Sequence, residues 1–85
     1  MPLFVIERLF ADRLELSKAD VDGVTAINDE TGVTWLFSFL SADKKKTYCL
    51  YEAPTPEAIR EAARRADIPA DVIIEVSELR PEQFA

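Results

Sequence analysis

The run KTYCLYEAPTPEAIREAARRADIP, residues 46–69, carries a strand, a stop, a capped helix and a second stop in twenty-four residues. Thr47, Tyr48, Cys49, Leu50 and Tyr51 are β-branched, aromatic or apolar, the composition of a pleated, half-buried segment, so residues 47–53 read as a strand. Pro54 ends it, because proline has no N–H to give to a ladder. Thr55, Pro56 and Glu57 then open a helix: a hydroxyl to cap, a ring with the right φ at the first position, and an acid against the positive end of the dipole. Ala58, Ile59, Ala62, Ala63 and Ala66 form one face of that helix and Arg60, Glu61, Arg64 and Arg65 the other. Small alanines let it lie close on a sheet, and Ile68-Pro69 breaks it.

Reading towards the N-terminus, VTWLFSFLS, residues 33–41, is a second β-branched and aromatic strand, and ADKKK between the two is a hairpin connection. Ser17 and Asp20 have the spacing of a capping box, with Leu16 and Val21 placed as a hydrophobic staple. Val21, Val24 and Ile27 recur at helical spacing, which predicts a helix from about Lys18 to Asp29, closed by Gly32. LFVIERLF, residues 3–10, alternates Leu3, Val5, Glu7 and Leu9 against Phe4, Ile6, Arg8 and Phe10, with both sets largely apolar. Towards the C-terminus VIIEVSEL, residues 72–79, is a further strand with Val72, Ile74 and Val76 on one side and Glu75 and Ser77 on the other. The tail RPEQFA is expected to fray or to reach a partner.

The order strand, helix, strand, strand, helix, strand is that of a ferredoxin-like α+β fold, a four-stranded antiparallel sheet with two helices on one face. One such domain is expected over residues 1–85. The other face of the sheet would then be bare, and a composition this rich in aromatics would leave there a patch too apolar for a lone chain. A homodimer is the expected partner, two open faces packing into a dimeric α+β barrel.

Composition narrows the function classes. Ten basic residues against sixteen acidic ones, a net charge of −6, repel phosphate backbones and anionic lipid alike, so neither nucleic acid nor a membrane surface is an expected partner. Lys44-Lys45-Lys46 reads as a solvated loop and Arg60/Arg64/Arg65 as a solvated helix face. No run approaches the ~18–20 apolar residues that span a bilayer, the N-terminus has no signal-like pattern, and a single cysteine makes no internal disulfide. The expected setting is the cytoplasm.

The run from Trp35 to Glu75 resembles a family of small bacterial domains that includes nickel-responsive, nickel-binding proteins. The resemblance is carried by Trp35 with Ser38 three residues on, KTYCLYEAP, EAIREAARRADIPAD and Glu75-Val76, with Glu7-Arg8 on the first strand. It implies the dimeric ferredoxin-like barrel and, for function, nickel. Nickel-associated members carry histidines where this chain has Phe37 and Ala62. With no histidine in the chain, the metal-capable candidates are Cys49, Glu7 and Glu75.

Cys49 reads either as a small buried residue of a central strand or as a thiolate ligand. Glu7 either faces a cavity or joins a salt bridge. Tyr51 shares the face of Cys49, and Tyr48 takes the opposite one. A phenol near Trp35 and Phe37 suits a small organic ligand. The expected function is therefore small-ligand binding in a cavity lined by Glu7, Trp35, Phe37, Cys49 and Tyr51. Rival readings are a nickel site, a cofactor-free monooxygenase- or isomerase-like enzyme on fold analogy alone, and a structural or regulatory dimer without a site.

Overall fold

The structure is a computed structural model and describes residues 1–84. Six main elements follow in the expected order: β1 (Leu3–Leu9), α1 (Lys18–Thr31), β2 (Thr34–Leu40), β3 (Lys46–Glu52), α2 (Pro56–Ala66) and β4 (Val72–Val76). The strands form one antiparallel sheet in the order β2-β3-β1-β4. This is the ferredoxin-like arrangement. Pro81–Phe84 adds a single 3-10 turn, its side chains exposed; Ala85, the last residue of the tail, lies outside the described residues.

The helix signals act as their chemistry requires. The Ser17 hydroxyl accepts from the Asp20 N–H while the Asp20 carboxylate accepts from the Ser17 N–H. That closed pair holds the Asp20 carboxyl below its ordinary range. Thr55 accepts from the Ala58 N–H, and Pro56 occupies the first turn. Gly32, at φ 78°, closes α1 by donating its N–H to the Asn28 carbonyl. α1 runs two residues past the expected Asp29, because the Thr31 hydroxyl donates back to the carbonyls of Ile27 and Asn28 and tightens the last turn.

Along β1, Phe4, Ile6 and Arg8 are buried beneath the helices while Leu3, Val5 and Glu7 are half-exposed on the other side. Ile59 and Ala62 of α2 meet Phe4, Ile6, Cys49, Tyr51 and Val33 in the core. β4 stops at Val76 and not at the expected Leu79. Val76 already pairs with Leu3, the first residue of β1, so no ladder partner remains beyond it. The face turned away from the helices carries Phe37, Phe39, Tyr48, Val72 and Ile74, all substantially exposed. Among the described residues no helix is long and apolar enough to cross a membrane.

Candidate functional site

A half-enclosed chamber of about 160 Å³ lies between the sheet and the N-terminal half of α1. Its floor is Arg8 of β1 with Trp35, Ser38 and Leu40 of β2 and Thr47, Cys49 and Tyr51 of β3. Its roof is Val21 and Val24 of α1. Phe10, Leu14 and Leu16, from the segment that joins β1 to α1, close one side, and Ile68 beyond α2 closes another. The connecting segment is tied to the β2–β3 hairpin: the Phe10 N–H donates to the Lys45 carbonyl at 2.8 Å and the Leu14 N–H to the Lys44 carbonyl at 2.7 Å. The chamber exists because α1 offers short valines where longer side chains would reach the floor.

The β2 segment explains how the tryptophan enters this wall. Trp35 pairs with Tyr51, but Phe37 pairs with Leu50 and Ser38 with Cys49, so the register slips between Trp35 and Phe37. A bulge there turns the alternation over. Trp35, Ser38 and Leu40 face the helices, and Phe37 and Phe39 face the open side. The indole Nε1 of Trp35 donates to the Ser38 hydroxyl at 2.8 Å across the bulge, which fixes the ring.

The expected site residues therefore divide. Trp35, Cys49 and Tyr51 come together in the chamber. Phe37 does not join them: strict alternation puts it beside Trp35, and the bulge sends it to the open face, where it meets Phe39 edge-on at 5.6 Å. Glu7 is also on the open face, since it pairs with Tyr48 in the ladder and Ile6 pairs with Cys49. It is held by Lys46 Nζ at 2.9 Å, and that ammonium also lies over the Tyr48 ring. The Glu7 hydrogen bond holds the Lys46 ammonium pKa above its ordinary value. Glu75 sits exposed on β4, opposite Phe4 and two strands from Cys49.

Cys49, Glu7 and Glu75 thus fail to converge on one point. Among the described residues there is no group of three or more metal-capable side chains. Cys49 itself is buried, its thiol 3.5 Å from the Thr47 hydroxyl. Such a set does not fit a nickel ion, which needs several nitrogen, oxygen or sulfur donors around one centre.

Arg8 is the functional candidate that sequence reasoning passed over. It is 3% exposed, its Nη1 donates to the Pro69 carbonyl at 2.5 Å, and its guanidinium lies 5.7 Å from the centre of the Tyr51 ring. The signal was present in the alternation that places Arg8 with Phe4 and Ile6, a charge on an apolar stripe. Burial pushes the Tyr51 hydroxyl above its ordinary pKa, with the nearby Arg8 charge pulling the other way. Tyr51 is accordingly a neutral hydrogen-bonding group, and the chamber presents one cation, one phenol, one thiol and two hydroxyls on otherwise apolar walls.

A ferredoxin-like sheet with a small chamber beneath its first helix is the class that the geometry defines. Residues 4–76 match the family model described as nickel responsive protein SCO4226-like, and the chain belongs to that family. The crystal structure of SCO4226 from Streptomyces coelicolor A3(2) is similar at a TM-score of 0.78 and 21% identity, over 92% of this chain and 99% of that one. No curated protein matches the chain.

Proposed function

We propose that this protein binds a small, mainly apolar molecule in the chamber under α1, and that it does so as a homodimer joined through the open sheet faces. The observation that carries the ligand reading is the chamber itself, apolar, half-enclosed and walled by Trp35 beside the core. A volume of about 160 Å³ is below the ~300 Å³ at which drug-sized sites begin. It is comparable to an apolar cavity of ~150 Å³ that admits benzene. The ligand is therefore of single-ring or short-chain size.

The homodimer is supported by Phe37, Phe39, Tyr48, Val72 and Ile74 on the open face, which present apolar area to water on β2, β3 and β4. Towards one end of its two middle strands Glu7 and Lys46 offer both signs of charge side by side, so the same surface on a second copy can satisfy it. A second copy is the occupant that this self-complementary pattern favours. The nickel reading, by contrast, has family membership behind it but no converging donor set in this chain.

Trp35 is the sole tryptophan and reports the chamber directly. Titration with benzamide, a neutral single-ring probe, should change Trp35 emission saturably. A Val24→Phe change, which fills the roof, should abolish the response. Absence of any response at millimolar benzamide, toluene and hexanol would reject the ligand reading.

A further inference from the structure

The one charged side chain in the chamber wall carries this inference, which rests on the ligand-binding reading above. Arg8 is almost wholly buried, yet among the described residues no carboxylate lies within ion-pair distance of it. A guanidinium cannot escape burial by losing its proton, and removing it from water is costly unless an anion or several acceptors replace the solvent. Here it has the Pro69 carbonyl and the face of the Tyr51 ring, while its Nε has no acceptor at all. Asn28 of α1, also buried, leaves its Nδ2 without a partner, and both Asn28 and Arg8 act on the Tyr51 hydroxyl. Of these two buried groups near one phenol, the Arg8 guanidinium is the one that lines the chamber, and its Nε is left without an acceptor.

We propose that Arg8 anchors the carboxylate of a small monocarboxylic acid whose apolar body, about six to eight carbons on the benzene-sized volume argued above, fills the space under α1. The planar guanidinium matches a carboxylate by parallel hydrogen bonds. A phosphate or sulfate fits less well, because the remaining walls are mainly apolar and the Ser38 and Thr47 hydroxyls are already engaged by Trp35 and Cys49. Phe10, Leu14 and Leu16, on the segment tied to Lys44 and Lys45, then pack against the acid's apolar body.

Benzoate and benzamide differ by one charge at nearly equal shape, and hexanoate with hexanamide repeats the comparison on a flexible body. Calorimetry and Trp35 emission on the full chain should show each acid binding at least tenfold tighter than its amide. Arg8→Met should remove that preference, so that acid and amide bind alike. Equal binding of acid and amide to the wild-type protein overturns the carboxylate assignment and leaves the chamber reading intact. Binding of neither overturns both. A preference that survives in Arg8→Met also overturns the assignment, since the anion must then sit elsewhere. Should Arg8→Met not fold, the wild-type comparison still decides, together with the Arg8 Nε–H resonance, which should shift with benzoate and stay still with benzamide; an unmoved resonance on benzoate overturns the proposal.

Discussion

Replacing Phe39 by alanine separates the stability of the single chain from that of the pair. Phe39 leaves 67% of its surface exposed on the open face, about 130 Å² for a side chain of roughly 200 Å². Alanine retains part of that, so about 90 Å² of burial is lost per chain in a symmetric interface, or ~2 kcal/mol at ~25 cal/mol per Å². Both copies lose it. The dimer should weaken by about 4 kcal/mol, roughly a thousandfold in Kd. Within one chain Phe39 has chiefly the edge-on contact with Phe37 to lose, worth at most ~1.5 kcal/mol, so the monomer should lose less than half of what the dimer loses. Sedimentation velocity over a dilution series reads the first quantity and urea unfolding of dilute protein the second. A wild-type chain that sediments as a monomer throughout, or a Phe39→Ala chain with unchanged Kd, refutes the reasoning.

Two glycine changes should have opposite signs. An added Cβ meets nothing within 4 Å at either Gly23 or Gly32, so only the backbone decides. Gly23→Ala, inside α1, should stabilise by up to ~1 kcal/mol. Gly32→Ala, at φ 78°, should cost about 1 kcal/mol; a shift of about 4–8 °C in Tm per kcal/mol makes both visible by calorimetry. The pH dependence follows from Tyr51, whose raised pKa means that the folded chain keeps the phenol proton after the unfolded chain has released it near the ordinary phenol value of 10.0. Stability should therefore fall as pH rises from about 10 towards the folded-state value. In Tyr51→Phe that part of the alkaline loss should vanish; an identical pH profile of urea unfolding in the two proteins would contradict it.

Local chemistry carried most of the fold. Ser17, Asp20, Gly32, Thr55 and Pro56 each settle a helix end through a nearby backbone group, and such signals survive in a linear reading because their partners are within a few residues. Alternation in β1 and β3 likewise placed Phe4, Ile6 and Arg8 on one side, and Cys49 with Tyr51. The site was harder to read. Period-two counting cannot show an inserted residue, and the slip between Trp35 and Phe37 exchanges the faces of everything after it. That is why Phe37 left the expected cavity while Trp35 and Ser38 entered it. Glu7 was separable from Cys49 only through the β1–β3 register, and α1 and β2 lie between those two strands in the chain, so no tight turn fixes it. Arg8 was legible as a buried cation. Its lack of an acidic partner was not, because that depends on what α1, α2 and β4 bring above it.

The most direct test is a crystal structure of the protein grown with benzoate. The account predicts one benzoate under α1, its ring against Trp35 and Tyr51 and its carboxylate within hydrogen-bond distance of Arg8. A chamber filled by the chain's own side chains, with Arg8 paired to a carboxylate of the same chain or of a second copy, would contradict it.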